Sequence, residues 1–255
     1  AKKLIRFYSK ISLIRQMELK ISEKYSENKM RCPVHLSIGQ EAIAVSICQN
    51  LNKSDKIVTA HRSHAHFLAK GGDLKSMISE IHGKETGCAM GKGGSMHLFD
   101  KEAGVMAAVP IVGSSIPIGV GIGWGLKLDK KKNIIIVFLG DGATEEGVFQ
   151  ESLDFSSLHD LPVLFICENN HYSVYSHISK RQSSKRSILK IANAIGIDGC
   201  SLNGNDALKI YHKTKKIINK IRQNSKPYFI ILDTFRFLEH CGPGNDDYLN
   251  YRDLK

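Results

Sequence analysis

Apolar residues at helical spacing open the chain. Leu4, Phe7, Ile11, Ile14, Met17 and Ile21 recur every three or four positions among lysines and glutamates. This predicts an amphipathic helix over residues 2–27, within an N-terminal helical segment 1–30. A second helix is expected from Gly39-Gln40-Glu41 to Gln49, then a short strand, Ile57-Val58-Thr59, ending at His61-Arg62. Leu74 to His82 returns to helical spacing. Thr86 to Gly104, rich in glycine and polar residues, reads as a long ordered loop. The pattern then changes. Asn133–Leu139 is an almost unbroken apolar run of strand length, as expected of a parallel strand buried on both faces. Gly140-Asp141-Gly142 ends it, and a helix is expected from Thr144 to His159. Pro162 opens a second apolar strand, Val163–Cys167, which ends at Glu168-Asn169-Asn170. Strand, helix and strand in this order form a βαβ unit, with parallel strands and a right-handed crossover. Helices at Ile188–Ile195 and Ala207–Arg222 and a strand at Tyr228–Asp233 continue the alternation. The expected class is α/β, a mostly parallel sheet with helices on both faces. No linker or internal repeat divides residues 1–255, so one domain is expected.

Composition modifies this picture in four places. Ala103 to Leu126 carries no charge over 24 residues, long enough to span a bilayer. Pro110, Pro117, six glycines and a Ser-Ser pair argue instead for a buried turn followed by a tightly packed helix. The net charge of +11 raises the question of nucleic acid. The lysines are dispersed and no aromatic-interleaved basic patch occurs, so the charge is read as favouring small anionic ligands. The six cysteines form no CxxC pair and read as reduced thiols of a cytoplasm-like compartment. Cys32, His35, His61, His64 and His66 hint at zinc but lack a convincing second half of a ligand set. No signal peptide is expected, because residues 1–30 lack a clean apolar run.

In an open parallel sheet, ligands bind beyond the carboxyl ends of the strands. Gly140-Asp141-Gly142 and Asn169-Asn170 both lie there, with 26 residues between them. Glycines let a backbone approach a phosphate closely, and a following helix N-terminus favours an anion. Asp141 offers a carboxylate oxygen, Asn170 an amide oxygen and Tyr172 a backbone carbonyl, the hard oxygen donors that magnesium takes together with phosphates.

That spacing resembles the magnesium and diphosphate motif of thiamine diphosphate enzymes. The likeness extends further, through CPVHLSIGQEA, TAHRSHAHFLAKGG, GKGGSMHLFD, IVGSSIPIGVGIG, FLGDGATEEGVFQESL, ICENNHYSVYS and DTFRFLEH. From about His35 to Arg252 the chain resembles the alpha subunit of the decarboxylating component of 2-oxo acid dehydrogenase complexes, the pyruvate, branched-chain and acetoin dehydrogenases. The resemblance implies the thiamine diphosphate-binding fold, with thiamine diphosphate and magnesium as cofactors. It implies Asp141, Asn170 and the Tyr172 carbonyl as metal ligands. Gly140, Gly142 and Ala143 would present backbone to the diphosphate, and His61, Arg62 and Arg236 would contact its phosphates. Val112 would offer a carbonyl to the pyrimidine amine, with Ile111 beside it. His240 and His35 would stand near the reacting centre, His240 biased towards its charged form by the diphosphate.

The resemblance further implies oxidative decarboxylation of a pyruvate-like 2-oxo acid and acyl transfer to a lipoyl-bearing acyltransferase. It implies a beta partner with the pyrimidine-binding domain and a heterotetramer of two alpha and two beta subunits. The compartment would be bacterial cytoplasm, or an organelle matrix or stroma in a eukaryote. No nucleic acid or membrane partner is expected. A transketolase-like or non-oxidative carboligating reaction is the alternative. The chain also departs from the family pattern. His61-Arg62-Ser63-His64 stands where many members have Tyr-Arg. Cys241-Gly242-Pro243-Gly244-Asn245-Asp246-Asp247 replaces a serine-containing loop, which puts regulation by phosphorylation and substrate choice in doubt. This loop is expected to have a solvated tip and to become ordered around the cofactor. The chain stops at Lys255, earlier than typical members, which points to a missing C-terminal segment. Gly119, Gly121, Gly123 and Gly125 are expected to serve a subunit interface, with internal packing as the other reading.

Overall fold

The computed structural model describes residues 2–252. Helix α1 (Lys2–Tyr25) precedes α2 (Glu41–Cys48), strand β1 (Lys56–Ala60), α3 (His64–Lys70) and α4 (Leu74–Ile81). Strand β2 (Val105–Val109), α5 (Ser115–Leu128), β3 (Ile135–Gly140), α6 (Gly147–Leu158) and β4 (Val163–Asn169) form the centre. A small hairpin, β5 (Tyr172–Ser173) and β6 (Ser176–His177), leads into α7 (Ile178–Arg181) and α8 (Ile188–Ala194). Then come β7 (Gly199–Asn203), α9 (Ala207–Asn224) and β8 (Tyr228–Asp233).

Six strands pair in the order β2-β1-β3-β4-β8-β7, every pairing parallel. The side chains of β3 and β4 explain why these runs are apolar at every position. Ile136, Phe138, Leu164 and Ile166 point into the core beneath α1, α2 and α9. Ile135, Val137, Val163 and Phe165 point into the other, beneath α5, α6 and α8. A strand covered on both faces has no polar side to show. From β1 the chain builds β2 on one flank and later sets β3 on the other. The topological switch point therefore lies between β1 and β3. The uncharged stretch Ala103–Leu126 is resolved into β2 and α5, and no helix among the described residues is long and apolar enough to cross a membrane.

Helix α5 uses its glycines in two ways. A Cβ on Gly119 would lie 2.2 Å from Val137 Cγ2, and one on Gly123 would lie 2.7 Å from Val163 Cγ2. Those two glycines let the helix rest directly on β3 and β4. Gly121 and Gly125 have nothing within 4 Å, and they share an exposed face with Ile118 and Leu128. Gly119 and Gly123 thus serve internal packing, while Gly121 and Gly125 lie on the opposite, exposed side of the helix.

The loop after α4 owes its order to one carboxylate. Glu80 is fully buried. Its Oε2 accepts the N–H groups of Ala89 (2.7 Å) and Gly91 (2.9 Å), and its Oε1 those of Gly93 (2.7 Å) and Gly94 (3.0 Å). Burial opposes its charge, but the four donors together hold the carboxyl below the usual range. Glu80→Gln turns one acceptor into a donor facing N–H groups. Hydrogen bonds to a charged group contribute about 1.5–3 kcal/mol each, so the variant is expected to lose about 3 kcal/mol of stability. Urea unfolding measures this; an unchanged midpoint would contradict the role.

Candidate active site

One cleft gathers the carboxyl ends of β1, β3 and β4. All the residues expected from sequence line it except Ile111 and Arg236. His35, His61, Arg62, Val112, Gly140, Asp141, Gly142, Ala143, Asn170, Tyr172 and His240 are therefore brought together from distant parts of the chain. Ile111 is 69% exposed beside the cleft. Arg236 is buried, and its guanidinium donates to Leu238 O (2.9 Å), Val174 O (2.8 Å) and Tyr251 Oη (3.0 Å). It ties the C-terminal segment to the β5–β6 hairpin.

Asp141 opens a 3-10 turn over Asp141–Glu145, closed by Thr144 Oγ1 donating to Asp141 O at 2.7 Å. The α-helix starts at Gly147, three residues later than expected, because Glu146 is extended. The Asp141 side chain is buried, and burial raises its pKa against the opposing pull of Arg181. Arg181 Nη2 lies 2.5 Å from Asp141 Oδ2, and its Nη1 pairs with Glu145. Gln182 donates to the same Glu145 at 2.8 Å, and Arg186 donates to Thr144 O. The 181–186 segment thus straps the Asp141 turn from above, a contact that no local pattern announced.

Asn169 and Asn170 fold the next loop by side-chain acceptance. Asn169 Oδ1 takes the His171 N–H (3.2 Å) and Asn170 Oδ1 that of Tyr172 (3.0 Å). His171 and Val174 adopt φ of 65° and 53°. Such values are strained for a β-branched valine, and strain of this kind collects at ligand sites. Asn170 Nδ2 donates to Gln40 Oε1 at 3.2 Å, while Gln40 Nε2 is buried with no partner.

The charge balance is informative. Arg62 donates to Leu36 O (2.5 Å) and His240 O (3.0 Å). Neither Arg62 nor Arg236 has a carboxylate partner among the described residues. Burial, then Arg236, pushes Arg62 down to about 10. Glu18 and Glu168 offset part of this from a distance, but with no carboxylate in direct contact the two guanidiniums favour an anion nearby.

His35, His61 and His240 pack edge to face. Burial is the first cause in each, and it holds them down to about 2, 3 and 4 respectively. Arg62 adds to it for all three. Burial thus holds His240 towards its neutral form in the protein itself, while the charged form is expected of the site with the diphosphate bound. The loop after it is also less free than expected. Gly242 N–H donates to Val34 O (2.8 Å), Gly244 N–H to Glu239 Oε1 (2.7 Å), and Asp246 is buried against Arg252. The expected solvated tip fails at Asp246, because Arg252 comes back to pair with it.

A family model for the dehydrogenase E1 component matches residues 9–255. The alpha subunit of the pyruvate dehydrogenase E1 component of Rickettsia typhi is 36% identical over 236 residues, covering 92% of this chain and 72% of that protein. The chain belongs to the dehydrogenase E1 component family. A second member of similar closeness is the alpha subunit of acetoin:2,6-dichlorophenolindophenol oxidoreductase of Bacillus subtilis, 37% identical over 93% of this chain and 71% of that one. Among solved structures, transketolase of Campylobacter jejuni superposes with a TM-score of 0.66. It covers 89% of this chain but 37% of its own, at 19% identity. That likeness speaks to fold alone, an α/β sheet architecture shared with transketolase.

Proposed function

We propose that this chain is the alpha half of a 2-oxo acid dehydrogenase. It would hold thiamine diphosphate through magnesium and, with a beta partner, decarboxylate a pyruvate-like 2-oxo acid oxidatively. The acyl group would pass to a lipoyl-bearing acyltransferase. The observation that carries the reading is the Arg62 guanidinium, which lines the cleft with no carboxylate in contact, facing the same cleft as a turn that presents Asp141, Gly142 and Ala143. Dehydrogenase E1 membership and the named relatives favour this chemistry over a transketolase-like or carboligating one.

The residues fit the cofactors. Asp141, Asn170 and the Tyr172 carbonyl form an all-oxygen donor set suited to magnesium. Arg62, His61 and the amides of Gly142 and Ala143 would hold the diphosphate, with Gly140 giving room at the strand end. Arg236 would act on it through the segment it pins. Val112 and Ile111 would meet the pyrimidine ring. When bound, the cofactor supplies the electron sink that lets carbon dioxide leave the 2-oxo acid. His35 and His240, being neutral, can each donate or accept one proton beside the substrate.

The glutamate that activates the cofactor in such enzymes belongs to a pyrimidine-binding domain, which nothing in this sequence resembles. A beta subunit would supply it, in a heterotetramer of two alpha and two beta chains. The exposed α5 face is a candidate surface for that contact, with Ile118, Gly121, Gly125 and Leu128 level with Phe155 and Leu158 of α6. Bacterial cytoplasm, or an organelle matrix or stroma, is the expected setting. The purified chain is expected to show no turnover, and the reconstituted alpha–beta pair to reduce a dye acceptor with pyruvate. Adding a lipoyl domain should replace the dye. Decarboxylation by the chain alone would contradict the shared site.

A further inference from the structure

His35 lies before α2, His61 after β1 and His240 after β8, yet their rings converge on one wall of the cleft. The ring centroids are 4.6 Å (His35–His61), 5.2 Å (His35–His240) and 5.3 Å (His61–His240) apart. Three imidazoles on one tetrahedral ion, with metal–nitrogen bonds of about 2.0–2.1 Å, place their centroids roughly 5 Å apart. The rings already stand at that spacing. One nitrogen from each lies within 4.8 Å of the others. Closing to the roughly 3.3 Å of a tetrahedral set needs side-chain rotation rather than backbone movement. No ring nitrogen of the three makes a hydrogen bond among the described residues, and His35 Nδ1 is buried without a partner.

We propose that His35, His61 and His240 form a binding site for a transition-metal dication of the zinc class, separate from the oxygen set around Asp141. Neutral imidazoles select zinc, copper or nickel, whereas carboxylate and carbonyl oxygens select magnesium. The sequence offered two of these ligands, but the third lies near the far end of the chain. Because the rings are held neutral near pH 7, they are already in the form that ligates. Three protein ligands leave a fourth position, the pattern of an exchangeable rather than a closed structural site. Arg62 stands beside the trio and opposes a bare cation. Its charge favours an anion in the fourth position, so the bound unit is the ion with hydroxide, chloride or a carboxylate. A bound ion would also occupy the two histidines assigned to the substrate and His61, assigned to the diphosphate. That consequence rests on the function proposed above, while the binding itself does not.

The test is titration of the full chain with zinc by calorimetry and with cobalt(II) by its visible absorption. One ion per chain is expected, with micromolar or tighter affinity and unaffected by excess magnesium. His61→Phe and His240→Ala should each weaken binding roughly 100-fold, the scale of losing one ligand in three. Asp141→Asn and Cys241→Ser should leave it unchanged, which excludes the oxygen set and the neighbouring thiol. Circular dichroism checks that each variant is folded. Absence of a cobalt spectrum would overturn the proposal, as would parent-like affinity in both histidine variants.

Discussion

Asp141→Asn is expected to abolish magnesium-dependent binding of thiamine diphosphate in the reconstituted alpha–beta complex. Asp141 is the only carboxylate in the proposed metal set, and it is 1% exposed. Asparagine keeps the volume and one oxygen but removes the charge that offsets the dication. The loss is expected to be at least about 100-fold, or roughly 2.7 kcal/mol. The fold should survive, because burial disfavours this charge and Arg181 retains Glu145 as a partner. Calorimetry with the cofactor, at several magnesium concentrations, measures the effect. Unchanged affinity, or affinity that ignores magnesium in the parent, would remove Asp141 from the metal set.

The second large effect separates His240, expected near the reacting centre, from Arg236, expected on the phosphates. His240→Ala should lower kcat by about 100-fold or more, the usual contribution of a positioned proton donor or acceptor, with a smaller change in cofactor affinity. Arg236→Ala should act differently. It leaves the carbonyls of Leu238 and Val174 and the Tyr251 hydroxyl without their shared donor. Leu238 O keeps Arg252 as a donor and the Tyr251 hydroxyl keeps Asp246, so the main loss is the Val174 carbonyl's partner and the tie to the hairpin, about 1–3 kcal/mol. Stability and cofactor affinity should therefore fall together, and the segment after Arg236 should become protease-sensitive. Measuring Kd, kcat and the denaturation midpoint for both variants tests the contrast. A near-normal kcat in His240→Ala would make that histidine structural, and an unaltered midpoint in Arg236→Ala would return the arginine to direct phosphate binding.

The parts of the fold that could be read in advance were those whose physics is local. Strands β3, β4 and β8 show as apolar runs because both of their faces are covered, and α1 and α9 show as amphipathic spacing. Strand β2 was hidden because it shares one uncharged stretch with α5, where neither alternation nor helical period stands out. Strand β7, Gly-Cys-Ser-Leu-Asn, lies at the sheet edge, where exposure permits polar residues. Helix α3 is short, and its histidines read as loop chemistry. At the site, Gly140 to Ala143 and Asn170 were legible because a backbone turn and its ligands are consecutive in sequence. Arg181 was not, since it reaches Asp141 across 40 residues through a fold that must exist first. The buried position of Arg236 was hidden likewise, since its partner Val174 lies 62 residues away.

The four glycines of α5 also bear on the order in which the chain folds. In a helix interior each costs about 0.5–1 kcal/mol relative to alanine, and together they leave this segment with little tendency to be helical by itself. Its helical state is secured by contact with Val137 and Val163, which exist as a surface only once β3 and β4 are paired. The β3–α6–β4 unit is therefore expected to form before α5 is secured, a hypothesis that φ-values at Gly119 and Phe138 would test. Helix α5 condenses afterwards onto a finished sheet. Substitutions at Gly119 or Gly123 would then speed unfolding far more than they slow folding, because their contacts are absent when the barrier is crossed.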